Sequence, residues 1–188
     1  MDPGFNDFVA ELSGTNAFKE TTQALTQQDR LGAFDQELVL RFFAMKNYRE
    51  AFKHDVGDYL TEYMEKVSDP AIALPFDRAA ERAVFERTFS VLSASLGQEA
   101  FSYANKGRSG LTQAFSVYHY EAITLGVQSR INALDPDNAS QMGMVHDILM
   151  KVKLDSDFIK MTTGGGKNSP GQLRERIRFV ENRMEAGL

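Results

Sequence analysis

Apolar residues recur at helical spacing along most of the chain, and the densest stretch covers residues 31–45. Within it, Leu38, Phe42 and Met45 lie on one stripe, because residues three and four apart share a helix face. Val39 and the other apolar residues between them widen this stripe over most of the circumference, as in a helix enclosed by others. The pattern therefore predicts a buried helix at the centre of the fold.

Further amphipathic stretches lie on both sides of this central stretch, and capping residues mark where they begin. Asp55 and Asp77 precede two of them, and Ser109 to about Asn132 predicts another. No window alternates strictly between polar and β-branched apolar residues, as a half-buried strand does. The sequence therefore predicts an all-α fold, an irregular multi-helix bundle of roughly eight to ten helices. We expect one helical domain over residues 1–188.

Composition sets the broad class of protein. The 188 residues are 43% hydrophobic and 25% charged, which is typical of a globular domain and not of a disordered chain. There is no cysteine, so disulfides and thiolate chemistry are excluded and a reducing compartment is favoured. The first residues lack the basic and apolar stretch of a secretory signal, and no run approaches ~20 apolar residues. We expect a cytoplasmic protein without membrane contact.

Charge is distributed unevenly along the chain. The net charge is −5, yet residues 151–183, here called the basic segment, contain eight lysine or arginine and four aspartate or glutamate residues. A basic face on an acidic body is a candidate for contact with DNA phosphates. Glu175 and Glu181 are interspersed, so an ordinary solvated face is the alternative. The candidate DNA-contacting residues are Lys151, Lys153, Lys160, Lys167, Arg174, Arg176, Arg178 and Arg183.

A glycine-rich segment, Gly164 to Ser169, precedes the last predicted helix and is here called the glycine loop. Gly165, Gly166 and Lys167 are suited to anions, because glycine exposes backbone N–H groups and lysine adds charge. The segment is not a Walker A motif, since Met161 stands where that motif has its first glycine. A plain capped loop and an anion site both stay open.

The glycine loop ends where a helix is expected to begin. Ser169 is a candidate N-cap, Pro170 suits the first helical position, and Gln172 would complete a capping box. Because a helix N-terminus attracts anions, Ser169 is counted with the anion-site candidates.

Arg41 lies among apolar residues of the central stretch and needs either a partner or a path to water. An unpaired buried charge is very costly, whereas arginine forms bidentate pairs with carboxylates. Glu37 lies one turn earlier, and Asp35 lies at the expected start of the helix, where its carboxylate would accept backbone N–H bonds. We predict a structural ion pair within the set Asp35, Glu37 and Arg41.

No residue pattern indicates a metal centre, a cofactor or a catalytic group. His54, His119 and His146 are far apart, and no histidine pair has the spacing of His-Glu-x-x-His. General acid–base catalysis by Glu121, or by the carboxylates of the central stretch, is conceivable, but helix capping and ion pairing explain these groups more simply.

The central stretch also carries a family resemblance. Phe34 to Ala44, followed by residues 59–64, resembles the GmrSD-type restriction-endonuclease N-terminal family, whose members couple a ParB/sulfiredoxin-like domain to helices. The resemblance covers most of the chain, but only the helical half of the family's domain. Further similar segments are Gly4 to Phe8, Phe85 to Phe89 with Phe101, and Ser169 to Arg178.

One part of the family's pattern is missing from this chain. The family's phosphate chemistry is attributed to an upstream Asp-Gly-Gln-Gln-Arg motif. The segment Thr26 to Arg30 contains some of the same residue types but not in the same order. The resemblance therefore implies a fragment, a truncated reading frame or half of a split protein, and no catalytic residue is carried over. It implies a non-catalytic helical scaffold of a modification-dependent restriction or phage-defence protein, with the basic segment as a DNA contact.

Two other functions stay open. Phe8, Phe18 and Phe34 would form an exposed apolar patch that dimerises or binds a partner. The glycine loop would instead serve a nucleotide-dependent enzyme. The partners to consider are therefore DNA, an upstream ParB/sulfiredoxin-like domain or companion chain, and a second copy of this chain.

Overall fold

The computed structural model describes residues 3–69, 71 and 74–188. The regular structure of this part is helical, apart from an isolated β-bridge between Ala104 and Leu111, so the predicted all-α fold is confirmed. Its ten α-helices are α1 (Pro3–Ser13), α2 (Asn16–Thr21), α3 (Gln27–Leu31), α4 (Phe34–Asn47), α5 (Val56–Ser68), α6 (Arg78–Leu96), α7 (Val117–Gly126), α8 (Ala139–Leu154), α9 (Ser156–Thr162) and α10 (Pro170–Gly187). Short 3-10 helices cover Arg49–Ala51, Gly97–Glu99, Val127–Ser129 and Ile131–Ala133.

The central helix is α4, and its apolar stripe is buried. Leu38 and Phe42 are at most 1% exposed, and α4 packs against α1, α5 and α7. Its start differs from the expectation, because Ala33 precedes the helix in the left-handed region with a φ of 56°. Asp35 lies inside the first turn, where its Oδ1 accepts the N–H of Gln36 at 2.9 Å. Asp35 is therefore not the N-cap of α4.

Phenylalanine rings fill the space between α4 and α6. Phe42, Phe43, Phe85 and Phe89 are all at most 1% exposed. The centroids of Phe85 and Phe89 are 4.4 Å apart, and Phe42 meets Phe85 edge-on at 5.5 Å. Such ring pairs stabilise a fold by about 0.5–1.5 kcal/mol each beyond the burial of their area. The same hydrophobic core continues into α9 and α10.

Helix α7 lies in the interior and packs along α10. Every residue from His119 to Gly126 is buried. The two helices approach closely at Gly126, where a Cβ would lie 2.4 Å from the Cβ of Val180. Only glycine fits this position, so α10 is held directly against the backbone of α7.

Helix α7 is shorter than the sequence predicted, because residues 109–116 are not helical. Thr112 donates its N–H to the carbonyl oxygen of Tyr103 at 2.8 Å, and Ser116 donates its N–H to that of Phe101 at 3.0 Å. These bonds occupy the backbone groups that a helix would need. The segment is therefore pinned to residues 101–104 as an irregular loop.

The predicted helix starts at Asp55, Asp77 and Ser169 are present. Their side-chain oxygens accept backbone N–H groups of the first turn, and Pro170 occupies the first turn of α10. The predicted capping box at Ser169 is not formed. Gln172 donates its N–H to Ser169 Oγ at 3.3 Å, but its own Oε1 is buried without a partner.

Candidate functional site

A buried carboxylate joins α4, α7 and α10. Glu121, in α7, is 1% exposed. Its Oε1 accepts a hydrogen bond from Nη1 of Arg41 at 2.6 Å, and its Oε2 accepts one from Nη2 of Arg176. Arg41 also donates through Nη2 to Oε1 of Glu37 at 2.6 Å. We call Glu37, Arg41, Glu121 and Arg176 the Glu121 network.

The buried part of the Glu121 network has a formal excess of one positive charge. The side chains of Arg41, Arg176 and Glu121 are 8%, 1% and 1% exposed, whereas that of Glu37 is 40% exposed. Burial opposes the charge of Arg41, but the carboxylates of Glu121 and Glu37 outweigh it, and the pKa of the guanidinium lies above its ordinary value. Arg176 donates its Nη1 to the carbonyl oxygen of Lys167 at 2.8 Å, and both arginine Nε atoms lack a partner.

The sequence indicated only part of this network. Glu37 forms the expected ion pair with Arg41, whereas Asp35 contacts the neighbouring backbone instead. Arg176 was expected on a DNA-contacting or solvated face, and it is in fact buried. The pairing of Glu121 with Arg41 was missed, because the two residues lie 80 positions apart in the chain and spacing carries no signal between separate helices.

A cleft of about 580 Å³ lies beside the Glu121 network, and Arg41 is part of its wall. The N-terminus of α7 contributes Ser116, Val117 and Tyr118, and the glycine loop contributes Gly164. We call this the Arg41 cleft. Its remaining lining residues are Val56, Tyr103, Phe115, Thr162, Thr163 and Asn168. Sequence reasoning did not anticipate that Arg41 and the glycine loop meet here.

The glycine loop touches the Arg41 cleft only through Gly164 and Asn168. Gly164 has a φ of 86°, a conformation that favours glycine, and it is exposed. The other four residues of the loop, all predicted anion-site candidates, lie outside the lining of the cleft. They are Gly165, Gly166, Lys167 and Ser169.

Some cations of the basic segment lie on the surface and others lie in the interior. Five of its cations are exposed, namely Lys151, Lys160, Arg174, Arg178 and Arg183, and Lys167 is half-buried. Lys160 and Arg183 form ion pairs with aspartates at 3.0 and 3.2 Å, which reduces the charge they offer to a ligand. Arg174 and Arg178 lie one turn apart on α10 and have no ion-pair partner among the described residues.

Lys153 was expected on the DNA-contacting face, and this expectation is wrong because the residue is fully buried. Its Nζ donates to the carbonyl oxygen of Ser102 at 3.2 Å and to that of Glu99. Burial, opposed by Glu99, lowers the pKa of Lys153 to about 7. Burial and the charge of Lys153 together lower the pKa of His119 to about 3. Like Arg176, Lys153 is not placed to contact DNA phosphates.

The apolar patch expected at Phe8, Phe18 and Phe34 is not exposed. Phe8 and Phe18 are 5% and 0% exposed, because α1 and α2 fold back onto α4 and α6. Phe34 is half-buried and meets Phe115 edge-on at 6.3 Å. Among large hydrophobic residues of the described part, Leu31 is the most exposed, at 76%.

Three further findings bear on function. Within the described ranges, no cluster of three histidine, aspartate or glutamate side chains is arranged to hold a metal ion. No helix of that part combines the length and the apolarity needed to cross a membrane. Comparisons of the chain with protein families, characterised proteins and solved structures found no match. The Glu121 network and the Arg41 cleft are therefore the features from which a function is assigned.

Proposed function

We propose that the chain is a non-catalytic helical scaffold of a GmrSD-like, modification-dependent restriction or phage-defence protein. One observation carries the proposal. Arg41 belongs to the segment Phe34 to Ala44 and Arg176 to the segment Ser169 to Arg178, both of which resemble that family. Both arginines bind Glu121. The resembling segments, far apart in the chain, therefore converge on one buried carboxylate.

A buried ion network of this kind is suited to fixing positions. Removing charges from water costs several kcal/mol per ion, so such a network adds little net stability, but losing one partner is severe at about 3–5 kcal/mol. Glu121 thereby holds α4, α7 and α10 in one arrangement. A rigid arrangement of helices is what a scaffold needs in order to present a constant surface to a catalytic domain.

The direct test mixes the purified chain with a separately produced ParB/sulfiredoxin-like domain of a GmrSD-type protein. We expect sedimentation analysis to show a complex, and hydrolysis of ATP or GTP to require the added domain. A complex that forms with wild-type chain and not with the Glu121→Gln variant would tie association to the network. Hydrolysis by the chain alone, abolished by Lys167→Ala, would overturn the scaffold proposal and favour a nucleotide-dependent enzyme.

Contact with DNA is a second proposed role, and it is supported by Arg174 and Arg178. Both are exposed, they share one side of α10, and neither has an ion-pair partner among the described residues. Arginines free of carboxylates are available to phosphate oxygens. The candidate surface is therefore smaller than the basic segment suggested, because two of its eight cations are buried.

Fluorescence anisotropy with a labelled DNA duplex tests this role across a series of salt concentrations. Each phosphate contact contributes about 0.9 to the slope of log affinity against log salt, so Arg174→Ala with Arg178→Ala should lower the slope by about 2. Lys53→Ala with Lys106→Ala is the matched control, because it removes two exposed positive charges elsewhere on the chain. Equal slopes for both double variants would contradict a DNA contact at α10.

A further inference from the structure

Helix α8 has an outer face that carries apolar side chains. Met144 is 44% exposed, and Leu154 is half-buried at the C-terminal end of the helix. Within the part of the chain that the structure describes, neither side chain packs against the hydrophobic core. A shallow groove of about 520 Å³ runs beside Leu154. Because a single exposed apolar residue is ordinary, the meaning of this face depends on what else it carries.

Two opposite charges lie between these apolar residues on the same face. The four residues, here called the α8 stripe, are Met144, Asp147, Lys151 and Leu154. They are spaced by three, four and three residues, which is the spacing of the contact positions of a coiled coil. The side chain of Asp147 is 73% exposed and contacts its neighbour His146 at 3.1 Å. Lys151 is exposed and has no ion-pair partner among the described residues.

The α8 stripe is complementary to a second copy of itself. Its spacing reads the same in both directions, so two stripes that run antiparallel bring Met144 of each copy opposite Leu154 of the other. The same register brings Asp147 of each copy opposite Lys151 of the other. Both pairs occur twice, as two-fold symmetry requires. A parallel arrangement would place like charges opposite each other at both positions, so the charges select the antiparallel one.

We propose that the α8 stripe is the contact surface of an antiparallel homodimer of this chain. Met144 of one copy packs at the groove beside Leu154 of the other, and two Asp147–Lys151 ion pairs form between the copies. The chain as a whole has a net charge of −5, which opposes self-association, but the stripe is neutral. Asp155 also lines the groove and already pairs with Arg183 at 3.2 Å. This inference goes beyond the scaffold proposal and does not depend on it.

The size of the contact sets the expected affinity. From Met144 to Leu154 the helix rises about 15 Å, at 1.5 Å per residue. A contact between two single helix faces of this length falls below the about 1,200 Å² of a stable interface, so we expect a dissociation constant on the order of 10–100 μM. Sedimentation velocity over a concentration series of the full chain measures it. A monomer mass of 21.1 kDa that persists up to about 1 mM would overturn the proposal.

Two charge-reversal variants test the register. Asp147→Lys places positive charges opposite each other at both pairs, and Lys151→Glu places negative charges there. Each variant alone should dimerise at least about tenfold more weakly than the wild type. An equimolar mixture of the two has opposite charges at both pairs, so it should form a mixed dimer with the affinity of the wild type. Variants that dimerise like the wild type, or a mixture of folded variants that stays monomeric, would overturn the proposal.

Matched controls change the same kinds of residue elsewhere on the surface. Lys19→Glu on α2 and Asp58→Lys on α5 reverse exposed charges and should leave the dimer unchanged. Met144→Gln removes the apolar contact and should weaken dimerisation by about tenfold, since about 1.4 kcal/mol corresponds to tenfold. Leu31→Gln changes a side chain that is 76% exposed and lies on α3, and it should have no effect. A dimer lost in Leu31→Gln and kept in Met144→Gln would overturn the assignment to α8.

Discussion

Replacement of Glu121 by glutamine would remove the only buried negative charge of the Glu121 network while keeping the shape of the side chain. Arg41 and Arg176 would then face one neutral amide, and its NH₂ group would point donors at one of the two guanidinium groups. Loss of one partner from a buried ion pair costs about 3–5 kcal/mol, against a total stability of about 5–15 kcal/mol for an ordinary domain. We therefore expect the free energy of unfolding to fall by about 3–5 kcal/mol.

Urea denaturation followed by far-UV circular dichroism measures this loss, since the chain has no tryptophan. Glu62→Gln is the matched control. Glu62 is half exposed and pairs with Lys66 at 3.1 Å, so its loss should cost less than about 1 kcal/mol. Replacing Arg41, Glu121 and Arg176 together by methionine, leucine and methionine should restore most of the stability, because no fully buried charge is left unpaired and Glu37, whose side chain is 40% exposed, stays in contact with water. A loss for Glu121→Gln no larger than that of the control would refute the reasoning.

Three further predictions concern other parts of the chain. The pKa of Lys153 is about 7 in the folded chain and higher when unfolded, so the unfolded state binds more protons above pH 7. The free energy of unfolding should therefore rise between about pH 7 and pH 10, by up to about 1.4 kcal/mol per pH unit. Urea titrations at several pH values measure this rise, and Lys153→Met should abolish it. Gly126→Ala would place a Cβ 2.4 Å from that of Val180 and should destabilise the fold by about 1–3 kcal/mol. Gly143→Ala, which places its Cβ in open space on α8, should instead stabilise the fold by about 1 kcal/mol. Thermal unfolding measures both changes. Ser169→Ala should cost about 1 kcal/mol through loss of the α10 cap, measured in the same way.

Signals that act within one or two helical turns were predictable from the sequence. The shared face of Leu38 and Phe42 follows from the helical period, and the caps at Asp77 and Ser169 act on N–H groups two or three residues away. The helix predicted to begin at Ser109 is absent over residues 109–116, because its outcome depends on contacts beyond the local sequence. Apolar spacing there suited a helix, but the backbone hydrogen bonds of the segment go to residues 101–104, which no local pattern records.

The burial of charged residues was the least predictable feature. Arg176 and Lys153 lie in a segment rich in cations and resemble surface residues in sequence, but their partners come from other helices and loops. The Arg41–Glu37 pair was predictable because it spans one turn.

The position of the Glu121 network also accounts for its charge. If these helices needed only to be held together, apolar residues of similar volume would do so at least as well, because buried ion pairs are seldom more stabilising than a packed hydrophobic contact. What apolar residues would not supply is a guanidinium in the wall of the Arg41 cleft. Glu121 holds Arg41 there at 2.6 Å and, from the same helix, fixes the α7 N-terminus on the same cleft. Matched charges also determine which helix faces meet, and this positioning role, rather than added net stability, is the one that the scaffold proposal assigns to the Glu121 network.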